Sequence, residues 1–189
     1  MINNRHREKL LNALIYFSGE VMWPGKTKLY KLLHYLDFLH YHETGRSVTG
    51  LEYYAWEKGP VPKELHWELE GRPNADFIEH LLKEKVQLRS GKVRHELKAR
   101  KKFREELFSP FELELMAMLA KRHMKDNADQ MSEESHFKTG PWHQVREVES
   151  RKDALIPYEY VLYRKGNAED MNTLERAKDF IEFEEKFAS

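Results

Sequence analysis

The sequence predicts a mainly α fold: a compact helical domain around one central buried helix, with a few short β-strands and a β-hairpin. Three observations lead there. The run from Thr27 to Gly45 carries Leu29, Leu32, Leu33, Leu36 and Leu39 as one stripe and Tyr30, His34, Phe38 and Tyr41 as a second stripe beside it. A helix apolar over that much of its girth belongs in the interior. Ser109-Pro110-Phe111-Glu112 is a strong helix start, with Ser as N-cap, Pro at the first position and Glu at the third. Period-two alternation is confined to short stretches, which favours small strands over a large sheet.

The elements follow in order. Leu10, Leu11, Leu14 and Phe17 give the helical spacing of a first helix over Arg5–Ser18, with Gly19 ending it. Thr27 is the expected N-cap of the central helix. Val48 to Trp56 alternates as a strand, with Leu51, Tyr53 and Ala55 on one side and Glu52, Tyr54 and Trp56 on the other. Gly59-Pro60-Val61-Pro62 reads as a rigid corner that turns this strand into a helix over Lys63–Glu70. Ala75–Lys83 is a further short helix. Val86–Lys98 alternates around Ser90-Gly91 as a hairpin. The helix from Pro110 extends to about Lys125, and another covers Asn127–Phe137. Thr139–Trp142 breaks that helix, Leu155–Tyr163 is extended, and Ala168–Phe187 forms an acidic terminal helix.

The chain has 189 residues, 40% hydrophobic, 12% aromatic and 34% charged, with no Cys. That is one domain's worth of core, without a disulfide framework. The apolar stretch near the start is short and has no small-residue cleavage site, and no run approaches the ~18 apolar residues of a spanning helix, so a cytoplasmic protein without a membrane partner is expected. Net charge is zero but unevenly spread. Residues 1–102 hold 19 Lys and Arg against 13 Asp and Glu, and residues 103–189 hold 13 against 19.

The chemistry-bearing patterns are few. Ten His are scattered, with no His-Glu-x-x-His and no four-ligand set, so no metal site is expected. Gly25-Lys26-Thr27 resembles the end of a phosphate-binding loop, but the first glycine is missing, and a helix cap explains it better. There is no nucleophile elbow and no dinucleotide fingerprint. The chain is therefore read as a non-enzyme without a cofactor. Residues 83–104 hold ten Lys and Arg against two Glu, which opens a reading as a nucleic-acid-binding regulator. Phe103 is the only aromatic in that stretch, and stacking partners are what single-strand binding needs. Residues 167–185 carry seven acids against two bases, a natural intramolecular partner for it.

Two stretches carry a resemblance. "TKLYKLLHYLDFLHYHETG" followed by "LEYYAWEKGPVPKEL" resembles the Panacea domain of SocA-like antitoxins. The matching positions are Lys28, Leu29, Lys31, Leu32, Leu33, Gly45, Tyr54, Ala55, Gly59, Pro60 and Val61. Ser135-His136 and Pro141-Trp142 match the later signature. His34 stands where the family usually has Tyr. The resemblance covers about residues 5–147, so a domain over 1–148 is expected, followed by an extension over 149–189 that the matching motifs do not cover and whose acidic helix is expected to pack on the same domain. It implies an antitoxin, or a prophage-associated relative, that neutralises a toxin protein encoded beside it by direct binding. Some members deliver the toxin to a protease. The candidate partner-binding or motif residues are Lys31, Tyr53, Tyr54, Trp56, Gly59, Pro60, Val61, Ser135, His136, Pro141 and Trp142.

Overall fold

The computed structural model describes residues 4–88, 91, 93–135 and 140–162. Helix α1 spans Asn4–Glu20 and helix α2 spans Lys26–Thr44. Helix α2 is the centre of the molecule. Leu29, Leu32, Leu33 and Leu36 are fully buried, and α1, helix α5 (Pro110–Arg122) and helix α6 (Ala128–Ser135) pack around it. Leu39 departs from the expected stripe and is exposed. Gly25, not Thr27, caps the start of α2, and α1 runs on through Gly19. Gly45 closes α2 at φ 73°, and its N–H donates to the Tyr41 carbonyl at 2.8 Å.

Strand β1 is Tyr53–Trp56, shorter than the sequence suggests. The reason lies upstream. The Val48 and Thr49 N–H groups both donate to Asp37 Oδ1 at 2.8 Å, so those residues are bound to the central helix instead of a ladder. Gly59–Pro62 is not the turn. It is strand β2, antiparallel to β1 with Trp56 opposite Gly59 and Tyr53 opposite Pro62. Glu57 and Lys58 make the reversal, and β2 pairs on one side with β1, so its other side is an edge where two prolines fit.

Helix α3 (Lys63–Glu70) follows directly from Pro62, and helix α4 (Ala75–His80) ends three residues before the predicted Lys83. Leu81–Lys83 instead pair with Leu97–Ala99, which lengthens the second hairpin to strand β3 (Leu81–Gln87) and strand β4 (Val93–Ala99). Leu81 and Leu97 are its buried anchors. Ser109 caps α5 in a complete capping box with Glu112, as expected. The short helix α7 (Pro141–His143) leads into a wide helical turn over Gln144–Val148. Leu155 bridges Tyr54, but the stretch after Pro157 coils into a 3₁₀ turn over Tyr158–Val161 and is not extended. The acidic segment 168–187 lies outside the described residues.

Two ionic clamps tie α1 to the rest. Arg7 donates to both oxygens of Glu68 and both of Asp76 at 2.7–2.9 Å, joining α1 to α3 and α4. Lys9 pairs with Glu112 at 2.5 Å, joining α1 to α5. Burial disfavours the Arg7 cation, but its two carboxylates outweigh that and hold it ionised.

Candidate functional site

The two family-like stretches meet at the β1–β2 hairpin. Helix α2 brings Lys31 beneath it. The Lys31 ammonium donates to the Lys58 carbonyl at 2.7 Å and to the Pro60 carbonyl at 3.1 Å. Both acceptors flank Gly59, where φ is 98° and a side chain would be strained. The corner thus exposes carbonyls inward, and a buried amine satisfies them. Burial pulls Lys31 down to about 7.

From the other side, Trp142 Nε1 donates to the Trp56 carbonyl at 2.8 Å, and Arg146 donates to the Ala55 carbonyl at 2.7 Å. Ala55 N–H reaches the Ala154 carbonyl at 2.8 Å, and Ile156 N–H reaches the Tyr53 carbonyl at 2.8 Å. Pro141-Trp142 and the Tyr53–Pro62 stretch, far apart in sequence, are one packed unit. Lys31, Tyr53, Gly59, Pro60, Val61, Pro141 and Trp142 are all buried in it. Tyr54 and Trp56 are half-buried. Ser135 ends α6; its side chain and the whole of His136 lie outside the described residues.

Beneath β1 sits a closed polar centre that sequence reasoning missed. Asp37 is fully buried and accepts from Val48 N–H, Thr49 N–H, the Thr49 hydroxyl and the Tyr53 hydroxyl (2.7 Å). Burial raises Asp37 above the usual carboxylate range, against the pull of those four bonds. Burial likewise pushes the Tyr53 hydroxyl well up. His34 lies in a box of Tyr35, Phe38 and Tyr53 rings, and its Nδ1 has no hydrogen-bond partner. Burial, and then the neighbouring Lys31, hold His34 well below its ordinary value, so it stays neutral. The signal was visible: Lys28, Lys31 and Asp37 are charges set into the apolar faces of a central helix. A buried charge demands partners. Lys28 has three, the carbonyls of Met22, Met124 and Asp126 at 2.8–3.1 Å. Lys28 borders the cleft at the start of α2, but its ammonium is taken up by those three carbonyls, and the arrangement holds backbone in place.

The exposed rim is different. Lys63 lies 4.8 Å over both the Tyr54 and Trp67 rings, and the Trp56 ring meets His66 edge-on at 4.8 Å. Trp67 is 57% exposed. Desolvation and the adjacent Glu52 raise the Tyr54 hydroxyl.

Among the described residues, five cations of the basic hairpin stretch are paired with near neighbours. Lys83 pairs with Glu70, Arg94 with Glu96, Lys98 with Glu84, Lys101 with Glu79 and Arg104 with Glu106. These acids come from α3, α4, the hairpin itself and the turn after it. Among the described residues no three His, Asp or Glu side chains converge as a metal site, and no helix is long and apolar enough to cross a membrane.

The model of the family described as "Antitoxin SocA-like, Panacea domain" matches residues 29–143. That span begins in the first turn of α2, takes in both hairpins, and ends at His143, just after Trp142. It therefore covers Lys31, the β1–β2 hairpin and the tryptophan that closes it. No curated protein and no solved structure matches the chain. The matched span holds the central helix, the Gly-Pro-Val strand that its lysine holds and the Pro-Trp that closes it, and the chain belongs to the SocA-like antitoxin family with a Panacea domain.

Proposed function

We propose that this protein is the antitoxin of a toxin–antitoxin pair and neutralises a toxin protein by binding it directly, without enzymatic chemistry. The observation that carries this reading is the family match over the unit built around Lys31 and the β1–β2 hairpin. Physical support comes from the character of that unit. Its polar groups are turned inward onto backbone, and its outer side is a rigid platform. Two prolines and three side-chain anchors fix the hairpin before any partner arrives, which lowers the ordering cost of association. Tyr54 and Trp56 are the contact residues it offers, with Trp67 beside them. The Ser135–Trp142 stretch is a second candidate contact.

The test is coexpression with the product of the adjacent reading frame. Growth arrested by that product alone should be restored by this chain, and the two should co-purify. Loss of the toxin from the cell, blocked by deleting a housekeeping protease, would mark delivery for degradation; a stable, co-purifying toxin marks sequestration. An adjacent product that is harmless and does not bind ends the antitoxin reading.

A further inference from the structure

The C-terminal end of α2 opens onto a groove of about 780 Å³. The start of α1, the turn after α2, the stretch leading into α5 and the 3₁₀ turn at Tyr158 line it. The first and last of these lie outside the residues that the family model matches. One polar group on the lining lacks a partner. His40 is 8% exposed, and its Nδ1 lies 2.7 Å from the Arg46 carbonyl. A carbonyl only accepts, so Nδ1 carries the proton and the neutral ring leaves Nε2 as an acceptor. Nε2 lies 3.9 Å from Glu112 Oε1, beyond hydrogen-bond reach, and no described residue donates to it. Burial leaves this acceptor little water, which favours a donor from an incoming segment.

Where the described chain stops decides the occupant. Its last residue, Leu162, is buried against Tyr41 and Tyr158, and both of these line the groove. Residues 163–189 therefore set out from the groove's edge. Five of them precede the helix that the sequence predicts over Ala168–Phe187, and five residues extend over at most ~17 Å. That helix has two unlike sides. Leu174, Ala177, Phe180, Ile181 and Phe187 recur at three-, four- and seven-residue steps on one, with Thr173 beside them, and Glu175, Asp179 and Glu182 fall on the other.

The groove suits the apolar side. Its charges balance, Arg5, Lys9 and Arg46 against Glu106, Glu112 and Glu159, with Lys9 taken up by Glu112 and Glu106 by Arg104. Such a lining draws in neither a strongly acidic nor a strongly basic ligand. Leu107 and Tyr158, both half-buried, offer apolar surface instead, and an amphipathic helix laid there keeps its acids in water. The basic hairpin is the other place for an acidic segment, but Lys83, Arg94, Lys98 and Lys101 are already engaged with carboxylates.

We propose that the segment 168–187 lies back across this groove as an amphipathic helix, its apolar side on Leu107 and Tyr158 and its Thr173 hydroxyl donating to His40 Nε2. Nothing in this placement depends on the antitoxin reading. The folded-back segment completes the domain at the end of α2 and shows a fixed row of acids, Glu175, Asp179 and Glu182, to the outside.

The chain has no Cys, so spin labels can be placed in the full-length protein at chosen pairs of sites. Glu106→Cys with Glu175→Cys reads the distance from groove to tail by pulsed electron resonance, and Val93→Cys with Glu175→Cys reads it to the basic hairpin. Glu106 and Val93 are exposed, so the labels leave the core intact. The first pair should give one narrow distance, shorter than the ~30 Å length of a 20-residue helix, and the second a longer one. Leu174→Asp with Ile181→Asp should broaden the first distribution and speed tryptic cleavage at Arg176 several-fold. Thr173→Val, which keeps the shape and removes the donor, should move the nitrogen-15 resonance of His40 Nε2. Broad distributions for both pairs, indifferent to the double substitution, mean that the segment does not dock. A short, narrow distance to Val93 puts it on the basic hairpin. A short groove distance that fades when labelled chains are diluted with unlabelled ones means that the groove takes the tail of a second copy. An unmoved His40 resonance means that Thr173 does not reach it. Each of these four results overturns the placement.

Discussion

The β1–β2 and β3–β4 hairpins share one topology and rest on the same helical core. In β1–β2, every strand residue but Tyr54 and Trp56 is buried, and the hairpin carbonyls are met by a lysine from α2, a tryptophan from α7 and an arginine from the turn after it. In β3–β4, Leu81 and Leu97 are the buried residues, and the rest is solvated, with the ion pairs Arg94–Glu96 and Lys98–Glu84 on its surface. Polar atoms in the first hairpin have no water to fall back on, so each anchor matters. In the second, water competes for every charge, so no single pair matters much. Backbone pairing is therefore a poor guide to which hairpin holds the fold together.

The largest expected effect breaks the first hairpin. Trp142→Ala removes a buried indole and leaves the Trp56 carbonyl unmatched, for a cost of about 3–5 kcal/mol in urea unfolding. A loss below about 1 kcal/mol would make the β1–β2 unit peripheral and erase the contrast. If Trp142→Ala keeps its melting temperature and loses the toxin, the residue is an interface and the packing argument fails.

Next come the buried bases of α2. Lys31→Met keeps the volume but abandons two carbonyls, at roughly 1–3 kcal/mol. The pH dependence is the sharper readout. Lys31 lies at about 7 in the fold and at 10.5 when free, so between those values the unfolded chain holds the extra proton. Stability should rise with pH from about 7 toward 10, by at most about 1.4 kcal/mol per pH unit, and Lys31→Met should flatten that rise. His34 works at the other end of the scale. Its folded value lies well below 6.5, so its contribution is complete above 6.5 and is lost as pH falls below that. His34→Phe should remove the acid-side loss while leaving the alkaline rise intact. Parallel pH curves for parent and both variants would show that neither base is held neutral.

Much of this was legible in the sequence, and the failures have physical causes. The apolar girth of α2 announced a central helix, and Ser109-Pro110-Phe111-Glu112 announced the start of α5, because both depend on local spacing. The corner was misplaced by one step. Gly and Pro signal a break, but the reversal falls on Glu57-Lys58, because pairing of Trp56 with Gly59 was invisible from composition. Val48 looked like strand because its polar neighbours alternate; the claim of Asp37 on its N–H is a contact made 11 residues away in sequence. Of the candidate residues, Lys31, Tyr53, Tyr54, Trp56, Gly59, Pro60, Val61, Pro141 and Trp142 meet at the first hairpin, but which of them point inward depends on Lys31 and Trp142 reaching it from opposite sides. Trp23, at φ 57°, carried no pattern at all, since a positive φ at tryptophan has no sequence signature.

The smallest effect belongs to the second hairpin. Lys98 reaches Glu84 across the ladder at 3.2 Å, with 68% of the lysine side chain exposed. Lys98→Ala should cost only about 0.2–1 kcal/mol, and less in high salt, because water and counterions replace the pair at little loss. The same neutralisation sets what the hairpin does to nucleic acid. Lys83, Arg94, Lys98 and Lys101 are engaged with Glu70, Glu96, Glu84 and Glu79, so a phosphate contact at any of these four would first have to displace a carboxylate. Fluorescence anisotropy with duplex and single-stranded probes at ~0.15 M salt should therefore show weak binding with a shallow salt slope, and Lys98→Ala should leave it unchanged. Submicromolar, sequence-dependent binding that Lys98→Ala reduces would mean the carboxylates yield readily to phosphate. The second hairpin would then be the functional surface, and the comparison between the two would have to be drawn the other way round.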